Sequence, residues 1–284
     1  MTITFLGTGT SHGVPMIACD CAVCRSTDPH DARLRTSIYV QMADGTSILV
    51  DAGPDLRQQA LTYGIGRVDA ILFTHGHADH TLGLDETRRF CGMQGRPMPC
   101  YGDAQTLRDI QRMFAYVFDA DTPRGGGLPQ LELVEIDGEI SINGHGVLPV
   151  PLLHGARPVL GFRFGDFAYL TDCNRIPDAS WPLLDDLEVV VLDALRERPH
   201  ATHFSLSQSI EAAQRIAARQ TLFTHMAHDL GHAATNAKLP ERMALAYDGL
   251  RLKFRPQTTE RRTPNPEHAT PNPEPRTGNL EPGT

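Results

Sequence analysis

The segment from residue 68 to residue 80 reads VDAILFTHGHADH, an apolar run followed at once by four candidate metal ligands, His75, His77, Asp79 and His80. The run is rich in β-branched and aromatic residues, which predicts a buried β-strand. Binding sites in α/β folds lie at the carboxyl ends of strands, where these four residues would emerge. Imidazole and carboxylate groups suit zinc, manganese and iron, and their close spacing lets one loop reach two adjacent ions. The alternative interpretation is a polar turn that happens to be rich in histidine.

Three more candidate ligands follow strand-like segments further along the chain. His154, Asp172 and His225 come directly after the segments 147–153, 167–171 and 220–224. A single histidine at a strand end is more often a capped or core residue than a ligand. Because the pattern recurs at four strand ends, chance is a poor explanation, and we expect these ends to share one metal site.

With these residues in place, the chain resembles the metallo-β-lactamase superfamily, whose H-x-H-x-D-H motif and downstream His, Asp and His occur here in the same order. The resemblance spans residues 1–254 and implies an α/β fold, a four-layer αββα sandwich of two mixed sheets with helices outside. It also implies two divalent ions, zinc or manganese, in the active site. By position, His75, His77 and His154 would hold one ion, Asp79, His80 and His225 the other, and Asp172 would bridge them.

Asp51 ends another strand-like segment, residues 47–50, and the resemblance implies that it supports the histidine loop. A carboxylate that accepts the second ring N–H of a ligating histidine fixes its tautomer and raises its basicity. The local sequence fits a turn-forming aspartate equally well.

Cys19, Cys21 and Cys24 form a C-x-C-x-x-C pattern, which we interpret as an insertion near residues 19–24 that binds one structural zinc ion. Four-coordinate zinc needs one more nitrogen or sulfur ligand. His228, three residues beyond His225, is our hypothesis for that ligand. The competing interpretation, a disulfide, requires an oxidising compartment, yet residues 1–7 lack the basic and long apolar regions of a secretory signal. We therefore expect a cytoplasmic protein.

The sequence FLGTGTSHGVP at residues 5–15, together with the cysteine cluster, resembles a narrower group, the PhnP-type phosphodiesterases. The sequence THMAH at residues 224–228 also matches that group, which supports His228 as the fourth zinc ligand. The resemblance implies hydrolysis of a small phosphodiester, such as 5-phosphoribosyl 1,2-cyclic phosphate, through attack by a metal-bridging hydroxide. Asp79 would orient that hydroxide in addition to binding a metal ion.

His203 is the candidate catalytic residue outside the metal ligands. It precedes a helical pattern in which Ser205 and Gln208 have the spacing of a capping box. The amino terminus of a helix attracts phosphate, so an imidazole there could bind a phosphate oxygen or protonate a leaving alkoxide. The resemblance gives this position a catalytic histidine. For His12, in the glycine-containing turn after the first predicted strand, the sequence leaves open a substrate contact and a plain turn.

The formal net charge of the chain is −8. Residues 255–284 contain four Arg and four Glu and neither Asp nor Lys, so the whole negative excess lies in residues 1–254. This charge disfavours binding of a long nucleic acid, and no apolar segment approaches the ~20 residues that a membrane span requires. We expect a small-molecule substrate and no membrane contact. The sequence is compatible with either a monomer or a homodimer. The tail 255–284, rich in Pro, Thr and Asn, predicts disorder.

Two other activities are compatible with the same fold. A thioester or lactone hydrolase would use the same ions to activate water for attack on a carbonyl carbon. Only the cysteine cluster and His203 favour a substrate in which water attacks phosphorus. A tRNA 3′-processing-type endonuclease would be expected to carry a flexible basic arm for the tRNA. The sequence shows no such arm.

Overall fold

Two seven-stranded β-sheets face each other in the computed structural model, which describes residues 1–123 and 127–254. Strand order is β14-β1-β2-β3-β4-β5-β6 in the first sheet and β13-β12-β11-β10-β9-β8-β7 in the second. The strands are β1 (Thr2–Gly7), β2 (Ser37–Gln41), β3 (Ser47–Val50), β4 (Ala70–Leu72), β5 (Met98–Gly102), β6 (Leu131–Glu135), β7 (Ile140–Ile142), β8 (His145–His154), β9 (Arg157–Phe164), β10 (Phe167–Leu170), β11 (Val189–Asp193), β12 (Gln220–Thr224), β13 (Met243–Leu245) and β14 (Arg251–Lys253).

Helices cover the outer faces of the two sheets. They are α1 (Leu56–Tyr63), α2 (Ala78–Thr81), α3 (Thr87–Gln94), α4 (Ala104–Met113), α5 (Ala115–Phe118), α6 (Leu206–Ile216) and α7 (His232–Asn236), with short 3-10 helices at Pro29–Asp31, Leu84–Glu86 and Asp178–Leu184. In the described part of the chain, no helix is long and apolar enough to cross a membrane.

The alternation of side chains along the strands separates three apolar layers. In β3, Ile48 and Val50 face the second sheet, where they share a core with Phe162 and Val191. Leu49 points the other way, into a core beneath α1, α3 and α4. A third core lies between the second sheet and α6. These layers confirm the predicted four-layer αββα sandwich, and residues Met1–Phe254 form one compact unit.

The direction of the strands brings the candidate ligands to one edge of each sheet. In the first sheet, β3, β4, β5 and β6 run parallel. In the second sheet β10, β11 and β12 run parallel, and β8 shares their direction because β9 is antiparallel to both of its neighbours. Parallel strands end at the same edge of a sheet, so the residues that follow them meet there.

Local predictions agree with the structure in most places. The capping box of Ser205 and Gln208 is present at the start of α6. Strand β12 has the predicted bounds, whereas β4 is shorter than the apolar run that predicted it. Helix α6 is capped at its carboxyl end by Ala217, which adopts a left-handed conformation. The predicted disorder of residues 255–284 falls outside the described residues.

Candidate metal centre

Three residues of the site lie at strand ends in an uncommon backbone conformation. Asp51, Asp172 and His225 directly follow or nearly follow β3, β10 and β12, and their φ angles are 63°, 53° and 58°. Side chains other than glycine rarely adopt this left-handed region, and such strain is concentrated at functional sites. The turn lets each side chain point back over the edge of its sheet.

His75, His77 and His154 form the first group of donors. The Nε2 atom of His75 lies 2.8 Å from Nδ1 of His77, and the candidate ligand atoms of all three residues lie within 4.8 Å of one another. His154 turns its Nδ1 to the carbonyl oxygen of Thr202 at 2.9 Å. Since that contact requires an N–H at Nδ1, the Nε2 atom of His154 is left as a lone-pair donor for a metal ion.

Asp79, His80, Asp172 and His225 form the second group, also within 4.8 Å. One carboxylate oxygen of Asp172 lies 3.1 Å from Nε2 of His80 and 3.2 Å from Nε2 of His225. Its other oxygen lies 3.9 Å from Nε2 of His75, in the first group. The carboxylate of Asp172 therefore faces both groups, as the sequence-based assignment of a bridging residue requires.

These donors fit divalent cations. Two ligands bound to one ion at about 2.0–2.2 Å stand about 3.0–3.5 Å apart, close to the separations around Asp172. The Nε2 atoms of His80 and His225 are buried and find no hydrogen-bond partner among the residues that the structure describes. A buried nitrogen without a partner is costly, and a cation would satisfy both atoms.

Charge in the site favours the same conclusion. Burial alone would lower the pKa of His80, but Asp172, Asp51 and Asp79 hold it well above its usual range. Burial lowers the pKa of His154 to about 4 and that of His75 well below its ordinary value, so both are neutral at pH 7. The neutral imidazoles of His75 and His154 are in the protonation state that metal ligation requires. The three carboxylates that raise the pKa of His80 place negative charge around this residue, and a metal cation would be stabilised there in place of the proton.

Asp51 supports this arrangement from beneath. Its Oδ2 atom lies 2.8 Å from Nδ1 of His80, and its carboxylate accepts hydrogen bonds from the backbone N–H and the hydroxyl of Thr74, both at 2.9 Å. Asp51 is fully buried. The contact orients His80 so that Nε2 faces Asp172, which is the role that the resemblance implied.

His203 lies beside the two groups of donors. Its ring stacks on that of His225 with centroids 4.8 Å apart and contacts the ring of His154 edge-on at 4.6 Å. Its Nδ1 atom lies 2.8 Å from Oδ2 of Asp193, so Nε2 is the nitrogen left to act on a substrate. Burial lowers the pKa of His203.

Asp193 is the residue that sequence reasoning missed. It ends β11, is fully buried, and also accepts a hydrogen bond from the backbone N–H of Cys173 at 2.9 Å. The signal was present, because the sequence VVVLD at residues 189–193 repeats the pattern of an apolar strand ending in aspartate. Asp51 and Asp172 follow their strands in the same way.

The structure brings the three cysteines of the insertion together with His228. The Sγ atoms of Cys19, Cys21 and Cys24 lie 3.1, 3.4 and 3.5 Å from Nδ1 of His228. A sulfur and a nitrogen on one tetrahedral zinc ion stand about 3.5 Å apart. The geometry and the donor types therefore fit a zinc ion held by these four residues.

A cavity of about 290 Å³ separates His203 from the cysteine site. His12 is exposed on the turn after β1 and lines this cavity, so it faces the space beside His203. Arg33, completely buried, connects the regions by donating to the carbonyl oxygens of Ala227 and Leu230. Arg33 thereby anchors the part of the chain that carries both His225 and His228.

Comparison with known proteins agrees with this geometry. Residues 46–226 match the model of the beta-lactamase superfamily domain. A crystal structure described as a new diphosphatase from the PhnP family is 46% identical, covers 89% of this chain and 98% of its own, and superposes with a TM-score of 0.84. The fold and the donor set are those of a metal-dependent hydrolase.

Two further relatives are less similar in sequence than this diphosphatase, and both extend beyond the part that the present chain matches. An octanoyltransferase of Porphyromonas gingivalis is 36% identical over 88% of this chain and 51% of its own length. A ribonuclease Z of Methanococcus maripaludis is 28% identical over 58% of this chain and 48% of its own. The chain thus spans about half the length of the curated relatives that it matches. On its sequence, its sandwich fold and its likeness to the PhnP diphosphatase, this chain belongs to the metallo-β-lactamase superfamily and, within it, to the PhnP family.

Proposed function

We propose that this protein is a metal-dependent hydrolase that cleaves a phosphodiester bond in a small molecule. The observation that carries the proposal is the position of His203, which stands against both groups of metal donors with Nδ1 held by Asp193. A histidine held in this way presents Nε2 to a leaving oxygen. The likeness to a PhnP-family diphosphatase supports phosphorus as the reacting centre.

The seven donors would hold two divalent ions, zinc or manganese, which when bound lower the pKa of water and neutralise charge on the phosphoryl oxygens. Asp172 would keep the two groups of donors at a fixed separation. Asp79 is partly exposed at the opening of the site and can accept a hydrogen bond from the attacking nucleophile. His203 would then deliver a proton from Nε2 to the leaving oxygen while Asp193 stabilises its charged form.

Among phosphodiesters, a compact sugar cyclic phosphate such as 5-phosphoribosyl 1,2-cyclic phosphate suits the cavity beside His203. A volume of about 290 Å³ is at the lower limit for a small-molecule site. A second candidate is the phosphoanhydride bond of a diphosphate, which the name of the PhnP-family neighbour favours. Both reactions are attack of water on phosphorus and use the same residues.

The other relatives favour different chemistry, but the site fits them poorly. An octanoyl group needs an apolar channel, whereas the described residues lining the cavity are mostly polar, with Met16, Leu195 and Ala227 as the apolar ones. A long RNA would meet residues 1–254, which carry the full net charge of −8. A thioester of a small polar acid remains the alternative that the geometry accommodates.

The test compares metal-loaded protein on bis(p-nitrophenyl) phosphate, p-nitrophenyl phosphate, a small diphosphate diester and a thioester. Turnover of the diester or the diphosphate, strongly reduced in both Asp172→Ala and His203→Ala, is the expected result. Turnover of the thioester alone would overturn the proposal. Lys238→Ala changes an exposed residue in the short segment after α7 and serves as the control, because it should keep the wild-type activity.

A further inference from the structure

The cavity beside His203 has walls from four separate parts of the chain. It is bounded by the turn after β1, the start of the cysteine insertion, the loop after β11 and the segment after β12. Polar side chains on these walls include Ser11, His12, Arg196, His200 and Asp229. His203 belongs both to this cavity and to the metal centre. A group that leaves toward His203 therefore enters the cavity.

Arg196 is held in place on one wall. Its guanidinium donates hydrogen bonds to the carbonyl oxygens of Arg198 at 3.3 Å and Pro199 at 3.2 Å, so the loop after β11 curls around it. These two bonds use two of the five N–H groups of the guanidinium, and the others stay available. The side chain is thus fixed by its own loop and keeps donors for a ligand.

His200 presents a further donor from the same loop. Its Nδ1 atom accepts from the backbone N–H of Thr202 at 3.3 Å and lies 3.2 Å from the Thr202 hydroxyl. In that tautomer the proton is on Nε2, which can donate. Burial, and then the positive charges of His203 and Arg196, lower the pKa of His200, which indicates that these groups share one electrostatic environment.

The opposite wall offers hydrogen-bonding groups without partners. Ser11 and His12 are exposed, and within residues 1–123 and 127–254 no group hydrogen-bonds to either side chain. Asp229 is the sole carboxylate among the described residues that line the cavity, and its Oδ1 atom lies 3.6 Å from Arg198. The other oxygen of Asp229 lies 3.9 Å from Nε2 of His228. Among the described residues, Arg196 has no carboxylate within salt-bridge distance, so its positive charge stays available to a ligand.

We propose that this cavity is the leaving-group subsite of the enzyme and that it selects a leaving group carrying an oxyanion, with Arg196 as the specificity-determining residue and His12 as a second contact from the opposite wall. The inference rests on the proposed function, because a leaving group exists only if a bond to phosphorus is broken beside His203. Arginine binds phosphate and carboxylate groups through parallel hydrogen bonds, and the donors on both walls match such a group.

The test uses two aryl diesters that differ in one charge, methyl p-nitrophenyl phosphate and its analogue with a carboxylate on the leaving aryl ring. The readout is the ratio of their kcat/KM values, which cancels changes in metal content or in the amount of active protein. The wild-type ratio should favour the carboxylate ester, and Arg196→Gln should lower that ratio about tenfold, the effect of losing one hydrogen bond to a charged group.

Arg219→Gln is the matched control, because Arg219 is exposed just before β12, at the end of the sheet opposite to His225. It should leave the ratio as in the wild type. His12→Gln tests the opposite wall on an exposed turn, where the change cannot disturb the loop that Arg196 holds, and should also lower the ratio. Arg196→Lys keeps the positive charge but loses the paired N–H donors of the guanidinium. Its kcat/KM ratio should lie between those of the wild type and Arg196→Gln.

The outcomes distinguish failure of the proposed function from failure of the proposed subsite. Cleavage of neither ester would overturn the proposed function, and the subsite with it. Cleavage of both esters with no preference in the wild type would overturn the subsite while leaving the proposed function intact. A preference that survives in both Arg196→Gln and His12→Gln would also overturn it.

Discussion

Nδ1 of His203 lies 2.8 Å from Oδ2 of Asp193, and both residues are buried at the edge of the metal centre. The pair comes from different elements: Asp193 ends a strand, and His203 follows in the loop before α6. This contact fixes which ring nitrogen of His203 is free. It also makes the role proposed for His203 as a proton donor dependent on a residue that would not touch the substrate.

Asp193→Asn should therefore lower kcat by about tenfold to a hundredfold, part of the contribution expected of an acid–base group. The amide oxygen can still accept the hydrogen bond from Nδ1 of His203, but it carries no negative charge and stabilises the protonated imidazole less. Because the two residues act as a unit, the double variant with His203→Ala should be no slower than His203→Ala alone. Asp186→Asn, at an exposed position, is the control. Fully additive losses in the double variant would show that Asp193 acts independently of His203.

Removal of the Asp51 carboxylate should weaken binding of the active-site ions. Asp51→Asn loses the acceptor that orients His80, and loss of such a partner typically reduces metal affinity about 10- to 100-fold. The measurement is a titration of metal-free protein with zinc or manganese against a competing chelator. Asp44→Asn is the control, since Asp44 makes a similar contact with His145, 2.9 Å apart, at the surface. Equal affinities in the wild type and Asp51→Asn would refute the supporting role.

The cysteine site should bind its own ion. Cys21→Ser should purify with one bound ion fewer per chain than the wild type and with a lower melting temperature, because a structural zinc ion contributes directly to folding. Metal content by mass spectrometry and thermal unfolding give the two readouts. Cys91→Ser changes a buried thiol away from the site and should keep the full metal content. An unchanged ion count in Cys21→Ser would contradict the assignment.

Asp248 should make stability depend on pH. Burial raises the pKa of this carboxyl from 3.8 to about 7, against the hydrogen bonds from Leu34 and Thr8. Between these two values the folded protein keeps a proton that the unfolded chain has released. The free energy of unfolding should therefore fall as pH rises from about 4 to about 7, by on the order of 1 to 4 kcal/mol, and level off above.

Asp248→Asn has no such proton to lose. As pH rises from about 4 to about 7, the wild type should therefore lose unfolding free energy relative to this variant. Denaturant titrations at several pH values measure the two free energies. Parallel curves for the two proteins would show that Asp248 keeps an ordinary pKa.

Much of the fold and of the site could be predicted from the sequence because both depend on short-range patterns. Apolar runs ending in His or Asp predicted the strand ends, and the capping box predicted the start of α6. What could not be predicted are contacts between distant positions. Arg33 donates to Leu230, 197 positions away, and this contact depends on how the cysteine insertion folds back on the sheet.

The cavity beside His203 was beyond prediction for the same reason. Each wall is an irregular segment, without a periodic pattern, and the four come together only after both sheets have formed. His12 illustrates the limit, because its turn could be recognised from glycines while the surface that it faces could not. Asp193 is different, since the local sequence VVVLD at residues 189–193 carries the signal of a strand that ends in aspartate.

The division of the ligands between the two sheets has a mechanical consequence. Four of the seven follow β4 in the first sheet. In the second sheet, His154 is the last residue of β8, and Asp172 and His225 follow β10 and β12. Except for β14, the first sheet is complete by Glu135 and the second begins at Ile140. Ions held by donors from both sheets would link the amino-terminal half of the domain to its carboxy-terminal half. A chain cut between these two residues should then reassemble from its fragments more tightly with metal than without it.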